Sequence, residues 1–162
     1  MSRTIVGVMG PGEAATAIEQ ELAFALGSAI AAQGWVLLTG GRNAGVMDAA
    51  CRGAQQAGGL TIGILPDRTT ANTSAAVEIA ICTGLGNARN VINILSSDVV
   101  IACGMGAGTA SEIALALKEN KPVLLLAASA ASVAFFRQLG CVYSVDSIEA
   151  AIDWVRQVKA EA

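Results

Sequence analysis

With 162 residues, 54% of them hydrophobic and only 14% charged, the chain suits a single domain that buries roughly two-thirds of its unfolded surface. A net charge of −3, with ten basic residues scattered from Arg3 to Lys159, excludes a general nucleic-acid surface. The lack of histidine and of any CxxC spacing among Cys51, Cys82, Cys103 and Cys141 removes the commonest zinc sites and the commonest general base. Each cysteine is expected to be a small buried hydrophobe. No apolar run approaches the roughly 18 residues of a membrane span, and the first residues lack the pattern of a signal peptide. A cytoplasmic protein without a membrane partner is the expectation, and its excess of apolar surface predicts self-association.

The first apolar run, residues 4–9, predicts a strand, and GPGE at 10–13 leads into helical spacing over 13–33. A second strand at 35–39 passes through TGGRNAG into a helix over 45–57. After a third strand at 61–65 comes PDRTTANTSAA, residues 66–76, a polar segment that is either a lid over a ligand or a solvated connection. The strand at 77–81 runs through TGLGNAR into a helix over 87–96, and the strand at 99–103 runs through GMGAGT into a helix over 109–120. Strands at 123–126 and 141–145 alternate with helices at 132–139 and 146–159. The last helix opens with Asp146 and Glu149 at capping-box spacing and carries an apolar stripe of Ile148, Ile152 and Val155. The strands read as apolar on both faces, the mark of a covered parallel sheet. Their alternation with helices predicts one doubly wound, Rossmann-like α/β domain over 1–162, with about seven mostly parallel strands and helices on both faces.

Four strand-to-helix turns are rich in glycine, and in a parallel sheet all four emerge at the carboxyl edge, where open α/β folds bind ligands. Glycine lets backbone amides approach an anion closely, and each helix start adds unpaired N–H groups and a positive dipole end. The expected anion site takes Gly10, Pro11 and Gly12 from the first turn, and Thr39, Gly40, Gly41, Arg42 and Asn43 from the second. The third supplies Gly86, Arg89 and Asn90; the fourth supplies Gly104, Met105, Gly106, Ala107, Gly108, Thr109 and Glu112. Arg89 in the first turn of its helix opposes the dipole, so either it serves a ligand or it pairs with Glu112. Tight turn geometry alone also accounts for such glycines, and TASE at 109–112 has the spacing of a capping box. GPGEAA at 10–15 fits a dinucleotide pattern, although the second strand ends in Arg42 rather than an acidic ribose partner, which suits only a 2′-phosphorylated dinucleotide. An Arg and a Glu in one phosphate-lined cleft also suit cleavage of a glycosidic bond.

The stretches GWVLLTGGRNAGVMDAACRGAQQAGGLTIGILP and TGLGNARNVINILSSDVVIACGMGAGTASEIALALKENKPVLLL closely resemble the molybdenum cofactor carrier proteins of green algae and cyanobacteria. The similarity covers about four-fifths of the chain and includes the non-glycine letters GVM, AR and ALALK. Those proteins are relatives of the lonely-guy phosphoribohydrolases, whose phosphate loop has the form PGGxGTxxE. Here Gly104 and Met105 replace its Pro and first Gly, while Arg89 and Glu112 keep the positions of the enzymes' functional pair. The resemblance implies a carrier, not an enzyme, that binds and shields molybdopterin with its dithiolene-held molybdenum and terminal phosphate until an apo-molybdoenzyme takes it. No protein atom need ligate the metal. A phosphoribohydrolase of nucleoside 5′-monophosphates, with Arg89 and Glu112 catalytic, is the alternative. The resemblance further implies a homodimer or homotetramer, and the helix at 109–120, apolar nearly all round, is expected to pack against both sheet and partner through Leu115 and Leu117.

Overall fold

A computed structural model describes residues 3–161. Seven strands, β1 (Ile5–Met9), β2 (Val36–Thr39), β3 (Thr61–Leu65), β4 (Ile79–Cys82), β5 (Val99–Cys103), β6 (Val123–Leu126) and β7 (Val142–Val145), form one sheet in the order β4-β3-β2-β1-β5-β6-β7. Every neighbouring pair is parallel, so the expected mostly parallel sheet is parallel throughout. Among the described residues six α-helices connect the strands: α1 (Ala17–Ala32), α2 (Gly45–Gln56), α3 (Arg89–Leu95), α4 (Ala107–Lys118), α5 (Ala130–Arg137) and α6 (Ile148–Glu161).

Alternate residues of the inner strands point to opposite faces, which divides the core in two. Val6, Val8, Leu37, Val99, Ile101 and Leu124 pack with α1, α2 and α6. Met9, Leu38, Ile64, Val100, Ala102 and Leu125 pack with α3, α4 and α5. The chain winds outward in one direction from β1 to β4 and then in the other from β5 to β7. The strand order therefore reverses between β1 and β5, and the crevice of a doubly wound fold opens at that point.

Helix starts differ from the spacing-based expectation where capping groups decide otherwise. α1 begins at residue 17 rather than 13 because Thr16 and Glu19 close a capping box, Glu19 N–H donating to Thr16 Oγ1 at 3.2 Å and Thr16 N–H to Glu19 Oε2 at 2.8 Å. Residues 10–16 consequently stay an open loop, and the helix start that a dinucleotide fingerprint needs directly after its glycines is absent. α4 begins at Ala107 with Gly106 as its N-cap, so Thr109 lies inside the helix and the TASE capping box does not form. α6 is capped by Ser147, whose Oγ accepts from Ala150 N–H at 3.2 Å, and not by Asp146. Its stripe is as expected, with Ile152 and Val155 buried and Ile148 packed against the same core.

Two cysteines depart from the expectation: Cys51 and Cys103 are buried, whereas Cys82 on the edge strand β4 and Cys141 before β7 are exposed. Leu115 and Leu117 of α4 are half-buried by their own chain, in contact with the second core cluster.

Candidate functional site

Four loops meet at the carboxyl edge around one cavity of about 280 Å³. Its rim and walls include Gly10, Pro11 and Gly12 after β1, Gly40 and Arg42 after β2, and Arg89 and Asn90 at the start of α3. Gly106, Ala107, Gly108, Thr109 and Glu112 of α4 complete the expected residues that reach it. Val8, Met9, Glu13, Ala14, Met47 and Asn87 also line the cavity without having been expected to. Spacing alone puts Glu13 in a helix, and a methionine in an amphipathic helix, such as Met47, reads as core; Asn87 is a polar residue beside TGLG.

The remaining expected residues do not line the cavity. Thr39 is buried, its Oγ1 accepting from Gly41 N–H at 3.0 Å and lying 3.4 Å from Cys51 Sγ. Asn43 donates its N–H to Asn72 O at 2.9 Å, and Gly86 donates to Pro66 O at 3.0 Å in the turn before α3. Gly104 holds a left-handed φ of 80° next to Pro11 and the Glu19 side chain, and Met105 packs on the second core cluster. These positions shape the loops. The polar segment 66–76 is fastened beside them: Thr73 bridges Arg42 in antiparallel fashion, and Ser74 donates its N–H to Gly41 O at 2.9 Å and its Oγ to Asp48 Oδ1 at 2.6 Å.

Arg89 is 8% exposed, and its Nη1 donates to the carbonyls of Gly40 at 2.5 Å and Ile64 at 2.6 Å, tying the ends of β2 and β3 together. A Cβ at residue 40 would collide with that nitrogen, so glycine is needed there for the guanidinium to lie against the backbone. Glu112 is equally buried, and its Oε1 accepts from Asn93 Nδ2 at 2.9 Å. The side-chain bonds of the two residues thus run to other groups, and the direct Arg89–Glu112 ion pair expected as one explanation of Arg89 is not formed. Burial raises the Glu112 carboxyl above its ordinary value of 4.5, against the opposing influence of the Asn93 hydrogen bond and the Arg89 charge. Burial also lowers the Arg89 guanidinium, which the Glu112 charge counteracts; a guanidinium still keeps its proton at neutral pH.

Among the described residues two buried polar atoms of the lining have no hydrogen-bond partner, Arg89 Nε and Thr109 Oγ1, and behind them Asn93 Oδ1 is likewise unpartnered. Leaving such a group unpaired costs about 1–3 kcal/mol, and native structures tolerate it where a ligand or ordered water completes the bond. The α4 N-terminus adds free amides, since Gly106 offers no side-chain cap. Around Gly106 and Gly108 there is open space: a Cβ at 106 would meet only ordinary contacts, 3.7 Å from Pro11 Cβ, and one at 108 nothing within 4 Å. These two glycines leave room that the fold itself does not require. Cys103, next to the loop, is a poor soft ligand, because burial pushes its thiol up to about 12 and its Sγ lies 3.5 Å from Glu19 O. Among the described residues no group of three or more His, Cys, Asp or Glu side chains is placed to hold a metal ion.

Residues 3–152 match the SLOG cluster4 family. The chain belongs to this family. Its fold superimposes on the molybdenum cofactor binding protein of Rippkaea orientalis with a TM-score of 0.96, at 56% identity over 98% of this chain and 99% of that one. Against the molybdenum cofactor carrier protein of Chlamydomonas reinhardtii the TM-score is 0.93 at 49% identity, again over 98% and 99% of the two chains. The kinship to hydrolases is more distant: a cytokinin riboside 5′-monophosphate phosphoribohydrolase of Mycobacterium marinum is 32% identical over 96 residues, 57% of this chain and 51% of that protein. The chain thus aligns with about half of the hydrolase and with essentially all of the two cofactor-binding proteins.

Proposed function

We propose that this SLOG cluster4 protein binds the molybdenum cofactor and stores it for delivery to apo-molybdoenzymes in the cytoplasm. The observation that carries the reading is the pair of partnerless buried atoms, Arg89 Nε and Thr109 Oγ1, beside the uncapped start of α4 in a single cavity. Backbone amides of residues 106–109 and the side chain of Thr109 suit the terminal phosphate, each charge-assisted bond contributing roughly 1.5–3 kcal/mol. Arg42 and Arg89 bring positive charge to a protein whose net charge is −3, so attraction for an anion is local rather than global. The cavity lies near the lower end of the size range of ligand pockets, which suits the phosphate-bearing end of the ligand with the rest held at the open mouth. The dithiolene of the cofactor holds the metal, and the protein's task is to grip, orient and shield. Support also comes from the full-length likeness to proteins named for this cofactor.

Assembly into a homodimer or homotetramer belongs to the same reading. Val91 and Leu95, one turn apart on α3, are exposed together with Ile79 and Ile81 of the edge strand β4 and Leu85 in the loop between them, and a second copy would cover them.

A phosphoribohydrolase is the rival reading, favoured by the presence of Arg89 and Glu112 at one cavity. In that reading Glu112 must act as a free carboxylate, yet burial works against its ionisation and Asn93 already engages it. Anaerobic incubation with molybdenum cofactor followed by desalting should leave molybdenum and pterin with the protein, and incubation with AMP should release no adenine. Loss of both cofactor components on desalting would refute the carrier. Sustained adenine release abolished by Glu112→Ala would establish the hydrolase in its place.

A further inference from the structure

The structure assigns Glu13 a role as an internal competitor for the ligand: its carboxylate holds Arg42 at the cavity mouth and must be displaced when an anionic group binds. This inference rests on the anion-binding reading of the same cavity.

Both side chains line the cavity, one from the loop after β1 and the other from the loop after β2, and Arg42 Nη2 meets Glu13 Oε1 at 2.6 Å. The Arg42 backbone is fixed by its bridge to Thr73 and by the neighbouring bonds of Gly41 and Asn43 to residues 72–74. Its guanidinium, by contrast, has Glu13 as its one side-chain partner among the described residues. Glu13 is the looser member. Its side chain is 72% exposed, it sits in the open loop that precedes the Thr16 cap, and its carboxylate has no other side-chain partner among the described residues.

Arg89 cannot move in the same way, because its Nη1 is committed to two backbone carbonyls. The cavity therefore has one fixed cation and one exchangeable cation, and of the two only the exchangeable one is held in a direct ion pair. A carboxylate oxygen and a phosphate oxygen are acceptors of the same kind, so Glu13 Oε1 occupies an Arg42 donor, Nη2, that a phosphate would use. An exposed pair of this kind is weak and exchanges readily. A ligand with a strong phosphate-like anion displaces it, whereas a weakly charged one leaves it closed.

Calorimetric titration with inorganic phosphate at low ionic strength tests the assignment. Glu13→Gln should tighten phosphate binding three- to tenfold relative to the parent. Glu119→Gln, the same charge change at the far end of α4, should leave affinity within twofold of the parent. With Arg42→Gln as background, adding Glu13→Gln should give no further gain. Unchanged or weaker binding by Glu13→Gln, or a gain that persists without Arg42, would overturn the competitor role while leaving the anion site standing. Failure of the parent to bind phosphate at all would overturn the site itself, and this inference with it.

Discussion

On one face of the sheet α1 and α2 approach until backbone meets backbone; on the other, α3 and α4 are joined by polar side chains that reach across a gap. In the first pair a Cβ at Gly27 would strike the Ala50 carbonyl and one at Gly53 the Phe24 carbonyl, and Ser28 Oγ donates to Gly53 O at 2.9 Å. In the second pair Asn90 Nδ2 donates to Ser111 Oγ at 3.0 Å and Asn93 Nδ2 to buried Glu112 at 2.9 Å, with three buried polar atoms left unpartnered on α3 and α4. The first arrangement gains from close packing and excludes water. The second forgoes some of that gain and keeps groups in reserve for something outside the chain. Close packing and reserved polar groups thus fall on opposite faces of one sheet, and substitutions on the two faces should have different signatures.

The largest effect is expected from Gly53→Val. Its side chain has nowhere to go, and the variant should lose about 3 kcal/mol in urea unfolding while the folded fraction binds phosphate as the parent does. Arg89→Met removes the donor shared by the Gly40 and Ile64 carbonyls. It should lose about 2 kcal/mol of stability and, unlike Gly53→Val, bind phosphate at least tenfold more weakly by calorimetry. Thr109→Val keeps the shape of the side chain and deletes a hydroxyl that has no partner. Its unfolding free energy should equal or exceed that of the parent, by about 1 kcal/mol or more, and its phosphate affinity should fall at least about tenfold, the worth of one charge-assisted hydrogen bond.

The last contrast lies in pH dependence. Because the Glu112 carboxyl is raised in the folded state, the folded protein holds a proton that the unfolded chain has released once the pH exceeds the ordinary value of 4.5. Stability therefore falls as pH rises from there through the raised folded value. Glu112→Gln keeps an acceptor for Asn93 and cannot ionise, so unfolding curves at successive pH values should lose that falling component. An unchanged profile would place the charge elsewhere.

The sheet was legible because its strands are apolar on both faces and glycines mark the turns between strand and helix, and each strand from β1 to β7 lies within two residues of where the pattern put it. Helix starts were less legible, since they depend on which hydroxyl captures the first free amide. Thr16 and Ser147 do so here, whereas Thr109 and Asp146, equally plausible by spacing, do not. For the cavity, glycine marked the right loops but did not separate residues that face a ligand from residues that shape a turn: Gly106 borders open space, while Gly41 lies against Gly63 with a φ of 74°. Nor did sequence spacing foretell that Arg89 would spend its donors on two carbonyls, which depends on β2 and β3 ending side by side.

Gly106→Asp gives the most direct test that anions are held at the start of α4. The position is extended, with φ −155°, and has room for a Cβ, and aspartate is among the best N-cap residues. The variant should fold at least as stably as the parent, by roughly a few tenths of a kcal/mol, and yet, after anaerobic loading and desalting, retain neither molybdenum nor pterin. Retention equal to that of the parent, in a protein of undiminished stability, would contradict the account.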